Sequence, residues 1–201
     1  LYEVLDLCLL CKACKSECPS GVDVAKLKME FLQHYYDIKG IPMRSLAVAY
    51  LPVVHKMFSL MPSFANFFLK NKISSGLVKT LICFNRQRNF PLMSKTNLTK
   101  LNAKTERQKP VSPKKTIYLF NDEFTNYLES DIGIKAILLF ERLGYEVKIA
   151  PVSFSGRTWL SKGLIRRAKS IANRNIEALK DIIGPDTPLV GIEPSAILSF
   201  R

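Results

Sequence analysis

Four cysteines fall within eleven residues near the start of this 201-residue chain: Cys8-Leu-Leu-Cys11-Lys-Ala-Cys14-Lys-Ser-Glu-Cys18-Pro19, or C-x2-C-x2-C-x3-C-P. No other feature constrains the chain as strongly. Thiols crowded this closely make a poor disulfide framework, whereas two-residue spacers let a short loop wrap a [4Fe–4S] cubane with its amide groups turned toward the sulfides. Pro19 then directs the chain away from the cluster. Structural zinc usually arrives as two C-x2-C knuckles separated by a dozen or more residues, a pattern this chain lacks. Cys8, Cys11, Cys14 and Cys18 are therefore the expected metal ligands, and reduced thiols of this kind suit the cytoplasm.

The spacing is that of bacterial ferredoxins, in which the fourth cysteine of one run ligates the other of two clusters. On that pattern Cys8, Cys11 and Cys14 share one cluster with a cysteine from elsewhere, and Cys18 serves a second. The chain opens at Leu1 directly before this run and stops at Arg201 after an apolar stretch. It reads as an excised part of a longer polypeptide, and the excised part alone is expected to hold no iron. Lys12 and Lys15 beside the thiolates should raise a cluster's potential, since positive charge favours the more negative reduced state.

The pattern predicts α+β architecture: an α-helical, ferredoxin-like domain over 1–100, a basic linker over 101–115 and a small α/β domain over 116–201. Asp23 is placed to cap a helix carrying Val24, Leu27, Phe31, Leu32 and Tyr35, which Gly40 and Pro42 stop. Prolines 42, 52, 62 and 91 then break a run of short helices, whose Leu46, Val53, Met57, Phe58, Phe64, Phe67, Phe68, Val78 and Leu81 are expected to form a core. Lys104, Arg107, Lys109, Pro110, Pro113, Lys114 and Lys115 mark the linker. Beyond it come a strand at 116–120, a helix at 132–143 closed by Gly144, a strand at 146–150, a long helix at 160–183 and a strand at 188–193. This β-α-β-α-β order predicts a parallel sheet, with function gathered at the strand ends: Asn121-Asp122-Glu123, Pro151 to Arg157 and Glu193-Pro194-Ser195.

Of the net charge of +13, +11 lies between Lys70 and Lys115, where twelve Lys or Arg face the single Glu106. A solvated basic face is the plain expectation, with an acidic protein or lipid headgroups as the next. Nucleic acid is disfavoured because Phe84 and Phe90 are the only aromatics there and sit among apolar neighbours. An interaction module built on residues 70–115 is the rival reading for the whole chain. The best apolar stretch, Ser45 to Leu69, is interrupted by Pro52, His55, Lys56 and Pro62 and should not span a membrane, leaving peripheral contact. Cys83 is expected as a small core residue, and His34 and His55 as structural or solvated groups without a second ligand.

The segment CLLCKACKSECPSGVDVAKLKMEFLQHYY (8–36), with Pro62-Ser-Phe-Ala-Asn and Arg88-Asn-Phe-Pro-Leu, resembles the C-terminal iron–sulfur part of FAD-linked oxidases. That family includes the glycolate oxidase iron–sulfur subunit and the D-lactate and D-2-hydroxyglutarate dehydrogenases. Asn121-Asp-Glu-Phe-Thr-Asn through Gly191-Ile-Glu-Pro-Ser resembles its domain named for a Cys-Cys-Gly motif, here cut short at the C-terminus. The resemblance implies that FAD in an upstream domain oxidises a 2-hydroxy acid and that this part relays electrons to an acceptor. The chain departs from the family where Phe154-Ser155-Gly156-Arg157 stands for Cys-Cys-Gly-Arg and Ala196 follows Glu-Pro-Ser in place of Cys. A metal centre in the α/β part is not expected, and that part is left as a docking or scaffold element.

Overall fold

A computed structural model describes residues 1–106, 110 and 112–200; Arg107 and Lys109 of the expected linker lie outside them. The cysteine run follows helix α1 (Tyr2–Asp6) and includes α2 (Ala13–Glu17). It leads to α3 (Val24–Lys39), whose first turn is capped as expected, with the Asp23 carboxylate accepting from Lys26 N–H at 3.0 Å. Gly40, at φ 80°, ends α3 in a backbone conformation that favours glycine. Short helices follow: α4 (Met43–Ala49), α5 (Leu51–Phe58), α6 (Pro62–Lys70), α7 (Lys72–Leu81) and α8 (Leu98–Lys104). Helix α8 extends into the start of the stretch expected as linker, because the Asn97 side chain caps it and Leu98 is fully buried.

Strand β1 (Thr116–Phe120) is followed by α9 (Glu123–Tyr127), α10 (Ser130–Arg142), β2 (Glu146–Ile149), α11 (Arg157–Ser161), α12 (Ile165–Leu179), β3 (Leu189–Gly191), α13 (Pro194–Ile197) and a final 3-10 turn at Leu198–Phe200. The sheet is parallel with β1 at its centre: Ile117 lies opposite Val147, and Leu119 opposite Val190. The architecture is thus α-rich, with one small three-stranded parallel sheet.

The expected helix at 160–183 is two helices. Gly163 interrupts it at φ 72°, where a Cβ would stand 2.3 Å from the Leu32 Cβ. The break lets α3 approach closely, and a helix continuing through 163 would drive a side chain into it. Leu32 and Tyr36 of α3, Ala49 of α4, and Trp159, Leu164, Ala168 and Ile171 of α11 and α12 form one buried cluster. Thr158 Oγ1 donates to the Ala49 carbonyl at 3.0 Å across the same contact.

The expected core of the middle helices is not where the sequence pattern put it. Met57, Phe64, Phe67 and Leu81 are 61–67 % exposed, and Leu46, Phe58, Phe68 and Val78 are also on the surface. The helices turn smaller or polar residues inward instead: Ser45, Ala49, Pro52, His55, Ala65, Ser75 and Lys79. Elements of seven to ten residues approach closely through small side chains, and so few turns cannot bury stripes of Phe and Leu on two faces. Cys83 is exposed as well, at φ 56° just beyond α7, and is not a core residue.

Candidate metal centre

All four cysteines of the run are free thiols, Cys11 and Cys14 exposed and Cys8 and Cys18 partly so. The loop reaches this arrangement through two left-handed residues, Leu10 at φ 58° and Lys12 at φ 61°, the latter starting α2. Pro19 and Gly21, at φ 63°, then turn the chain so that the Gly21 N–H donates to the Cys18 carbonyl at 2.9 Å and backbone N–H groups, that of Val22 foremost, lie beside the Cys18 sulfur. These donors, Val22 foremost, hold the Cys18 thiol below the ordinary thiol range and favour its thiolate. Cations surround the loop: Lys12 and Lys15 lie within it, and Lys28, buried on α3, donates to the Cys8 carbonyl at 2.8 Å. Lys28 thereby fixes the loop to the helix that packs on α12.

Among the described residues, no three of His, Cys, Asp or Glu converge into a group that could hold a metal ion. The donor set nevertheless suits a soft metal: four free thiols on one short loop, with Lys12 and Lys15 among them.

The strand ends expected from the topology do come together, as a buried polar lock. Asp122 caps α9, its carboxylate accepting from the N–H groups of Phe124 and Thr125 and from the Thr125 hydroxyl. Glu123, fully buried, accepts from Ser155 N–H at 3.0 Å and from its hydroxyl at 2.8 Å. Burial pushes the Glu123 carboxyl up, against the Ser155 N–H that draws it down. Arg157 pairs with Glu193 at 3.1 Å and lies over the Phe124 ring at 4.6 Å. Ser195 donates to the same Glu193 oxygen. Ser155 and Ala196 are buried, the first as a hydrogen-bonding hub and the second as a core residue. Sequence reasoning located these segments and missed α9, the short helix that delivers Glu123; an Asp at the end of a strand was its available signal.

His34 is exposed, whereas His55 is buried edge-on to Phe124, with its ring centroid 6.2 Å away. Desolvation lowers the His55 pKa from 6.5 to about 4. The unfolded chain therefore takes up a proton that the folded chain refuses. His55's contribution is complete above pH 6.5 and is lost as the pH falls toward about 4, on the order of 3 kcal/mol. Urea titrations across this window should show that acid limb, and His55→Phe should flatten it.

Curated relatives match this chain from end to end. The D-2-hydroxyglutarate dehydrogenase of Haemophilus influenzae is 26 % identical over 98 % of the chain, that of Pantoea ananatis 28 % over 99 %, and that of Escherichia coli 26 % over 99 %. The chain is similar over its whole length to D-2-hydroxyglutarate dehydrogenases. It spans about a fifth of the length of these dehydrogenases. The similarity accords with the resemblance to FAD-linked oxidases carried by the cysteine run and the closing segment. No family model matches the chain, and no solved structure matches it.

Proposed function

We propose that this chain is the iron–sulfur electron-transfer part of a flavin-dependent 2-hydroxy-acid dehydrogenase. The observation that carries the reading is the C-x2-C-x2-C-x3-C-P run itself, whose four thiols are free and at least partly exposed on one loop. The dehydrogenase relatives supply the reaction class.

In this reading residues 1–100 form a ferredoxin-like domain in which Cys8, Cys11, Cys14 and Cys18 are cluster ligands. A bound [4Fe–4S] cluster supplies one-electron transfer between a two-electron flavin donor and its acceptor. The chain's own residues fix the ligands: Leu10 and Lys12 bend the loop, nearby backbone amides, that of Val22 foremost, lower the Cys18 pKa, and Lys28 ties the loop to α3. Lys12, Lys15 and Lys28 offset the negative charge of four thiolates. The α/β part serves as the scaffold on which α3 rests, with Ser155 of the polar lock standing where the resembled family carries a cysteine. FAD and the oxidation of the hydroxy acid belong to a flavin domain outside this chain, and the cytoplasm suits the reduced thiols.

Anaerobic D-2-hydroxyglutarate added to the intact protein should reduce its flavin and then an external one-electron dye. Cys11→Ser should leave flavin reduction within about twofold while dye reduction falls by at least about tenfold. Equal loss of both steps, or of neither, would contradict a relay role for the run.

A further inference from the structure

Helices α6 and α7 leave an apolar surface that none of the described residues covers. Phe64, Phe67 and Phe68 form a stripe on α6 at spacings of three and four residues, and Ile73, Leu77 and Leu81 repeat every fourth residue on α7. All six are exposed, Ile73 at 85 %. Leu60 and Met61 extend the surface before α6, at 77 % and 66 %. An apolar surface of this kind on a protein is ordinarily an interaction site.

The charges around it narrow the partner. From Ile38 to Thr105 the chain contains no Asp or Glu, while Lys and Arg recur throughout. A groove of about 890 Å3 opens beside the stripe between the end of α6, α7 and the segment through Leu92. Ile73 and Leu77 line its wall, and Lys70, Lys72, Lys79 and Arg86 line it with positive charge. Lys79 is held in place, buried, with its ammonium 5.3 Å from the Phe90 ring centroid and donating to the Arg86 carbonyl. Exposed aromatic and aliphatic side chains rimmed by cations and free of anions match the interface of an anionic bilayer, where rings sink to the acyl boundary and ammonium groups stay among phosphates. Among the described residues no helix is long and apolar enough to cross a membrane, so such contact would be peripheral.

We infer that the α6–α7 face is a peripheral membrane-binding surface for anionic phospholipid, with headgroup phosphate at Lys70, Lys72 and Arg86 and Phe64, Phe67 and Ile73 inserted beside it. The inference is independent of the cluster reading, since it uses neither the cysteines nor electron transfer.

Flotation of the intact protein with vesicles of phosphatidylcholine, with and without phosphatidylglycerol, tests it. Binding should require phosphatidylglycerol, weaken in high salt, and fall by about 25-fold in the exposed pair Lys70→Gln/Lys72→Gln, at roughly fivefold per lost cation. Phe67→Ser with Ile73→Ser should abolish it without altering flavin content or melting temperature. Failure of the intact protein to float would overturn the inference and leave the face to the remainder of the longer polypeptide or to another protein. Binding that is indifferent to phosphatidylglycerol or to the lysine substitutions would overturn it equally.

Discussion

Trp159→Ala is expected to destabilise the protein by about 3–5 kcal/mol, the usual cost of emptying a large aromatic site in a core. Trp159 is 1 % exposed and packs in the cluster that joins α3 and α4 to α11 and α12. Its ring meets Tyr50 and Phe154 edge-on, each at 5.9 Å between centroids. The loss is a large share of a typical domain stability and corresponds to a fall in melting temperature on the order of 10 °C. Trp159→Phe should cost far less, because it retains most of the volume and removes an indole Nε1–H that has no partner among the described residues. Since α3 also holds the cysteine loop through Lys28, the alanine variant should let thiol reagents reach the partly buried Cys8 faster than the phenylalanine variant does. Calorimetry and thiol-labelling rates on the three proteins would check both expectations, and equal stability of Ala and Phe variants would contradict this packing role.

Glu123→Ala should be the next most damaging change, by about 2–4 kcal/mol, for a polar reason. It would leave the Ser155 N–H and hydroxyl without their acceptors in a buried site. The β1 end would then lose its tie to the loop after β2, where Arg157 and Glu193 also meet. Glu123→Gln keeps one carbonyl acceptor, and the Ser155 oxygen can accept from the new amide, so about half the loss should return. Glu177→Ala, on an exposed side chain paired with Lys180, should change stability by only a few tenths of a kcal/mol. Chemical denaturation of these variants would decide the matter. A Glu123→Ala protein as stable as Glu177→Ala would remove the polar lock from the account.

The parts of the fold that were legible in the sequence are those governed by local rules. Asp23 before an apolar repeat, Gly40 after it and alternating runs separated by Gly and Pro act within a few residues, and α3, β1, β2 and β3 stand where those signals place them. Gly163 was misread because its effect is long-range: glycine is tolerated within a helical pattern, and only the approach of Leu32 requires the break. The stripe of Phe64, Phe67 and Phe68 was misread because periodicity reports an apolar face without saying what covers it. At the candidate centre the ligands are written plainly in their spacing. The turn that closes on Cys18, with Gly21 N–H donating to its carbonyl and the Val22 amide beside its sulfur, is not, since it depends on the backbone after Pro19.

The most direct test of the central reading is an iron and acid-labile sulfide assay, with EPR of the dithionite-reduced state, on the anaerobically purified intact protein and its Cys14→Ser variant. The account predicts iron and sulfide in equal amounts, about four of each per cluster, and an S = 1/2 signal that is diminished or lost in the variant with flavin retained. Zinc in place of iron, or a signal indifferent to Cys14, would contradict it.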